Sequence, residues 1–286
     1  MRPAEVGRAG QGGACVQVQP PARDRRVGTV IRLRVPLLRS SRARLVLARH
    51  GESVANAAGV FTGWLDVSLS ARGRVDAGHL GRTLVDAGII PEVVYTSTLA
   101  RCSETAASVV GEIGRVGGGV TIEHRRDLDE RHYGSLTGRS KSQVHAEVGD
   151  TLFGEFCNSL STPPPPLTAV DLARLTRDRW PCDRLSTLGV LSESLGDVVV
   201  RTRRVWEHEV RSDLEAGRTV VVVGHGNSLR ALMVTIDTLD QTELSRCRVA
   251  TGVPLVYDFD ADMRPVVRGG RLIGGAEHAG DRGVVL

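Results

Sequence analysis

Several features that would settle a protein's class at once are missing from this 286-residue chain. It has no run of about 18 uninterrupted apolar residues, so nothing in it reads as a membrane-spanning helix. The five cysteines (Cys15, Cys102, Cys157, Cys182 and Cys247) are odd in number, scattered, and form no Cys-x-x-Cys pair. That pattern argues against a disulfide framework or a zinc site and for a reducing, cytoplasmic setting. No internal repeat is present. The Gly-x-Ser-x-Gly spacing of a serine-hydrolase elbow is absent too, since Gly224-His-Gly-Asn-Ser228 only approximates it. Lysine is almost missing: Lys141 is the only one among 37 basic residues. In a chain that otherwise uses arginine throughout, a lone ammonium suggests a site that wants a compact, mobile point charge.

What is present begins with an uneven charge distribution. Residues 1–44 hold ten arginines against Glu5 and Asp24, a local balance of +8 that leaves −4 for the rest of a chain whose net charge is +4. Residues 1–43 are rich in Arg, Gly, Pro and Gln and read as a disordered basic extension. Arg25-Arg26 mimics a twin-arginine signal, but Arg32 and Arg34 interrupt any apolar stretch behind it, so export is not expected. Val27 to Leu38 could form an isolated strand. An arginine-rich tail can touch nucleic acid, yet an idle, solvated extension is the expected state and nucleic acid is not the expected partner.

The stretch Arg44-Leu-Val-Leu-Ala-Arg-His-Gly51 opens on an apolar run without polar alternation, which reads as a buried strand. It delivers Arg49, His50 and Gly51 at its C-terminal end, where ligands bind in open α/β sheets. Ser70 has N-cap chemistry before an amphipathic helix reaching Leu84. Pro91 to Thr96 reads as a second strand. Ser97-Thr-Leu-Ala-Arg101 opens a helix through Val110 and places Arg101 in its anion-favouring first turns. Val120 to His124 reads as a third strand, entering Asp127-Leu-Asp-Glu-Arg-His-Tyr-Gly134.

Residues 139–190 are less regular. Short helices are expected around 142–148 and 167–178, on either side of Pro163-Pro-Pro-Pro166, a stiff run that cannot enter a sheet interior. This segment reads as a capping insertion. Ser192-Glu-Ser-Leu opens a long helix to about Leu214. Thr219-Val-Val-Val-Val-Gly-His225 reads as a doubly buried parallel strand, followed by a helix from Asn227, another near Gln241–Arg246, and a last strand from Val253. Strands alternating with helices predict a three-layer α/β/α fold with a mostly parallel central sheet. Residues 44–270 would form this domain and 271–286 a flexible tail.

Two histidines, His50 and His225, each follow an apolar strand and precede a glycine. Side by side, such strands bring both imidazoles to one rim. Arg49 and Arg101 add positive charge and Glu130 a carboxylic acid. The set suits phosphoryl transfer, which is mainly positioning and charge stabilisation. A histidine nitrogen can be the nucleophile. Flanking arginines would depress its pKa and keep the lone pair free, and Glu130 could protonate the leaving oxygen. Taken singly, each residue has a plainer reading: a satisfied strand-end histidine, a surface ion pair, a loop acid. Their arrival at equivalent strand ends weighs against it.

The stretches Arg49-His-Gly-Glu-Ser, Phe61-Thr-Gly-Trp-Leu-Asp-Val-Ser-Leu-Ser70, Tyr95-Thr-Ser-Thr-Leu-Ala-Arg101, Glu130-Arg-His-Tyr-Gly134, the proline run, Ser192-Glu-Ser-Leu195, Gly224-His-Gly-Asn-Ser-Leu-Arg-Ala-Leu232 and Thr251-Gly-Val-Pro-Leu-Val-Tyr257 carry a resemblance. Together they resemble the histidine phosphatase superfamily and, within it, the cofactor-dependent (2,3-bisphosphoglycerate-dependent) phosphoglycerate mutases, from about Leu45 to Val267. The resemblance implies a phosphoglycerate mutase-like fold, with His50 as the phosphorylated nucleophile. It implies that Arg49, Arg101 and His225 form the phosphate pocket and that Glu130 is the proton donor and acceptor. Asn56, Thr62, Gly63, Tyr133, Lys141 and Asn227 would line the substrate. It implies no metal, a priming phosphate from 2,3-bisphosphoglycerate, and interconversion of 2- and 3-phosphoglycerate in glycolysis and gluconeogenesis. A small phosphorylated substrate is the expected partner, and homo-oligomerisation is left open.

Two departures stand out. Where the family carries Trp-Asn after Glu-Ser, this chain has Ala55-Asn56. The family's Trp-Arg-Arg before the proline run is here Phe156-Cys157-Asn158. Losing two guanidiniums removes two charge-assisted contacts, each worth about 1.5–3 kcal/mol. This motivates an alternative: a phosphatase, or a mutase of another phosphorylated metabolite. A third reading is a non-enzymatic protein that binds through its arginine-rich tail.

Overall fold

The computed structural model describes residues 43–117, 119–185 and 189–274. The basic extension, including the strand expected over 27–38, lies outside them, as does the tail beyond 274. The core is one sheet whose strands run β3-β2-β4-β1-β5-β6. In chain order, β1 is Arg44–Arg49, β2 Val93–Thr96, β3 Thr121–His124, β4 Thr219–Gly224, β5 Leu255–Asp258 and β6 Arg271–Leu272. β1 pairs parallel with β4, and β2 parallel with both β4 and β3. β5 runs antiparallel to β1, and β6 antiparallel to β5. β6 falls where the flexible tail was expected to begin. Gly269 and Gly270, both at positive φ, turn the chain back so that it can pair there.

The central strands are apolar throughout because both faces of the sheet are covered. Their residues alternate between the two sides. Val46, Ala48, Val221 and Val223 pack with Leu80, Leu84, Val109 and Ile113 of the helices α2 (Ala71–Asp86) and α3 (Ala100–Gly114). Leu45, Leu47, Val220 and Val222 pack on the other side with Val205, Trp206, Leu232 and Met233. Those belong to α6 (Leu195–Val205), which continues through a π turn at Trp206–Val210 into α7 (Arg211–Glu215), and to α8 (Gly226–Asp237). The result is the expected three-layer arrangement.

The remaining helices are α1 (Val54–Ala57), α4 (Lys141–Asn158), α5 (Ala169–Arg177) and α9 (Gln241–Arg246). The short helix expected at 142–148 is the first part of α4. Gly149, at φ 78 and ψ 171, is non-helical and kinks the element, and in the second helical stretch that follows Phe156 packs with Phe61, Leu136 and Val144.

Candidate active site

β1 and β4 end in register, with Arg49 opposite Gly224, so His50 and His225 leave the sheet side by side. Their ring centroids lie 5.0 Å apart, and both residues are buried. The turn after His50 has no room for side chains. A Cβ on Gly51 would lie 2.1 Å from the Gly73 carbonyl oxygen, and one on Gly73 would lie 1.9 Å from the Glu52 carbonyl oxygen. The backbone after β1 is thus pressed against the first turn of α2, whose N-cap Ser70 accepts from Gly73 N–H at 3.0 Å.

His50 Nδ1 lies 2.6 Å from the Gly51 carbonyl oxygen. A carbonyl only accepts, so Nδ1 carries the proton and Nε2 keeps its lone pair. Burial, then the charges of Arg101 and Arg49, hold the His50 pKa well below the ordinary imidazole value. The sequence reading credited the arginines, whereas desolvation is the larger cause. Arg101 is itself almost fully buried, donating to the Leu65 and Gly63 carbonyls at 2.9 and 2.8 Å. Arg49 donates to the Val249 carbonyl at 3.3 Å, and its buried Nε has no partner. Thr62 Oγ1 is likewise buried without a partner.

His225 lies behind His50 rather than in the cavity wall. Its Nε2 is 2.8 Å from Ser97 Oγ, which donates to Asp129 Oδ1 at 2.8 Å. Burial, then Arg101, lower its pKa strongly. Cys102 Sγ lies 3.3 Å from the same nitrogen, and burial pushes that thiol's pKa up, so it stays protonated.

Glu130 is half-buried and lines the same cavity as His50. Its Oε1 accepts from Arg131 N–H at 2.8 Å and from Asn227 Nδ2 at 3.1 Å. Its carbonyl is held by Trp64 Nε1 (2.6 Å) and Arg201 Nη2 (3.0 Å). Arg201 also bonds the carbonyls of Asp127 and Asp129 and forms a two-pronged ion pair with Glu193. A single buried guanidinium therefore suspends the loop that carries Glu130.

These groups surround one cavity of about 490 Å³. Of the residues singled out from the sequence, Arg49, His50, Asn56, Thr62, Gly63, Arg101, Glu130, Tyr133, Lys141 and Asn227 line it, whereas His225 does not. Asn56 also caps α1, accepting from Ser53 N–H at 3.2 Å, and Tyr133 Oη accepts from Asn227 Nδ2 at 2.8 Å. Lys141 is the first residue of α4, where the helix dipole disfavours a cation. Burial and Arg49 lower its pKa further. Its position costs stability and is understandable as a place to meet an anion.

The sequence reading missed Ser97, Asp129, Glu193 and Arg201, which position the others, and two further arginines in the wall, Arg230 and Arg248. Arg230 had a signal: on α8 it lies four residues after Gly226 and so shares its face. Arg248, in the irregular segment between α9 and β5, had none. The cavity wall around Cys157 and Asn158, expected to be short of cations, therefore holds these two arginines besides Lys141.

The chain matches the model of the histidine phosphatase superfamily (branch 1) over residues 45–167 and 168–269. It is 43% identical over 229 residues to a 2,3-bisphosphoglycerate-dependent phosphoglycerate mutase of Thermobifida fusca, covering 80% of this chain and 92% of that enzyme. To enzymes of the same name it is 40% identical in Arthrobacter (80% and 92% covered) and 40% in Mycobacterium leprae (81% and 92%). In fold it is similar to a mycobacterial glucosyl-3-phosphoglycerate phosphatase, with TM-score 0.60, 22% identity, and 80% of this chain and 96% of that one covered. An alpha-ribazole phosphatase from Shigella flexneri gives 0.59, 21%, and 80% and 95%. A chain so matched along its length, with paired strand-end histidines between two arginines, belongs to the 2,3-bisphosphoglycerate-dependent phosphoglycerate mutase family of the histidine phosphatase superfamily.

Proposed function

We propose that the protein interconverts 2- and 3-phosphoglycerate by phosphoryl transfer through His50, and that residues 44–270 form the catalytic domain. The observation that carries this is the state of His50: proton fixed on Nδ1 by the Gly51 carbonyl, lone pair on Nε2, and two arginines beside it. The imidazole stays neutral near pH 7 and meets a phosphoryl group whose charge Arg49 and Arg101 stabilise. Nε2 forms the bond to phosphorus as the bond to the leaving oxygen breaks. Glu130 gives that oxygen its proton and takes one back from the hydroxyl that next attacks the phosphohistidine.

The partnerless Arg49 Nε and Thr62 Oγ1 at one end, and Arg230 and Arg248 at the other, fit a molecule with an anion at each end. 2,3-bisphosphoglycerate has that form and, when bound, supplies the phosphoryl group that charges His50. Arg49, Arg101 and Thr62 would hold its near end, and Lys141 and the distal arginines its far end. The substrate is a small phosphorylated acid. We place the activity in the cytoplasm, in glycolysis and gluconeogenesis, on the cysteine pattern and the names of the relatives; no described helix is long and apolar enough to cross a membrane.

A second reading, hydrolysis or transfer on another phosphorylated metabolite, is favoured by Phe156-Cys157-Asn158 alone. Incubating the protein with 3-phosphoglycerate and catalytic 2,3-bisphosphoglycerate, while following both 2-phosphoglycerate and free phosphate, separates the two. Isomerisation without phosphate release is expected. Phosphate without 2-phosphoglycerate overturns the mutase reading.

A further inference from the structure

The two places where the family carries arginines are filled by Cys157 and Asn158, and both line the cavity. Neither side chain can meet an anion with positive charge. Asn158 does something else: its Oδ1 accepts from Arg230 Nη2 at 2.9 Å. Arg230 is otherwise held by the Leu244 carbonyl at 2.9 Å and Asn227 Oδ1 at 3.3 Å, and its Nε is buried with no partner. An arginine at 158 would put a like charge where Arg230 now finds a neutral acceptor.

Arg248 stands at the rim of the same wall. Its Nη1 donates to the Ser245 and Cys247 carbonyls, at 2.8 and 2.9 Å, which orients the guanidinium without neutralising it. Neither Arg230 nor Arg248 forms an ion pair with a carboxylate among the described residues. The two lie close enough for the charge of Arg248 to lower the pKa of Arg230, after the larger effect of burial. Two guanidiniums facing one cavity without a counter-charge are electrostatically unfavourable until an anion arrives.

We propose that Arg248, backed by Arg230, is the distal anion site of this enzyme, holding the carboxylate end of the substrate in place of the family's arginine pair. This rests on the functional reading above and assigns a specificity-determining role within it. Asn158 is then part of the exchange, because it frees the space and supplies the neutral acceptor that lets Arg230 stand behind Arg248. A planar guanidinium at the rim matches a carboxylate in two-pronged fashion, which a lysine there would not.

The test compares binding of 3-phosphoglycerate and sn-glycerol 3-phosphate, which share the phosphate and differ in the carboxylate, by titration calorimetry on the full chain. R248M is expected to weaken 3-phosphoglycerate roughly 10- to 100-fold, the value of one charge-assisted contact, and to change glycerol 3-phosphate less than twofold. R248K, which keeps the charge but not the fork, should fall between, and it serves if R248M fails to fold. Unchanged 3-phosphoglycerate binding, or equal weakening of both ligands, overturns the proposal. A wild-type protein that binds 3-phosphoglycerate better than glycerol 3-phosphate yet fails to isomerise it refutes the mutase reading and leaves the distal site standing.

Discussion

The two ends of the cavity are built by different means. At the His50 end, the backbone does the positioning. The Gly51 carbonyl fixes the tautomer of His50, the Leu65 and Gly63 carbonyls hold Arg101, and parallel register places His225. At the far end, side chains from three separate elements converge: Lys141 at the start of α4, Arg230 on α8, and Arg248 on the segment after α9. The first arrangement resists change, because altering it means altering the sheet. The second can be rebuilt one residue at a time. Chemistry is tied to the fold here, and recognition to replaceable side chains.

That contrast can be broken at several levels. The largest effect is expected for His50→Ala, which removes the proposed nucleophile. Its turnover should fall by on the order of 10⁴ or more, and acid-labile phosphohistidine should vanish while the circular dichroism spectrum is kept. Persistent labelling in that variant would move the nucleophile elsewhere. Next is Glu130→Gln, which keeps the bonds from Arg131 N–H and Asn227 but cannot exchange a proton. A loss of roughly 10²- to 10⁴-fold in kcat with little change in KM is expected, and a change in KM alone would reassign Glu130 to binding. At the far end, Lys141→Met should act on KM instead, raising it about 10-fold or more for a phosphoglycerate. Equal loss in kcat would mean that the two ends are not separable.

The smallest effect concerns stability. His50 and His225 are buried with pKa values held well below the unfolded imidazole value near 6.5. The unfolded chain therefore takes up protons below that pH while the folded chain does not. Stability should be full above pH 6.5 and decline as pH falls through and below it, until the folded pKa values are reached. At full slope each histidine contributes about 1.4 kcal/mol per pH unit. Urea unfolding at pH 7.5 and 5.5 should show this, with a shallower dependence in His50→Ala. Equal stability at both pH values would mean that the histidines are protonated in the fold.

His50, His225 and Arg101 could be found from sequence because each follows directly from an apolar strand or a helix start, and the topology then decides where such ends lie. The α8 arginine could be reached by helical spacing. Arg248 could not, because no periodicity governs the stretch between α9 and β5. Arg201 was hidden for another reason. It looks like any cation on an amphipathic helix, and only the tertiary structure turns it toward Glu193 and the 127–130 loop. Pair formation by β6 was missed because a two-residue strand has too little pattern to read, and the second helical stretch of α4 because the kink at Gly149 reads as a helix end.

The crossing of Gly51 and Gly73 limits how this protein can evolve. A side chain at either position collides with a backbone oxygen, not with the other residue's side chain. No second substitution at the partner glycine can therefore relieve the first, and a double-substitution cycle across the pair should uncover no rescue. Most packed pairs can drift together through compensating changes in size. This one offers no such path, so the segment following His50 is closed to gradual exploration while the wall that carries Arg230 and Arg248 stays open to it.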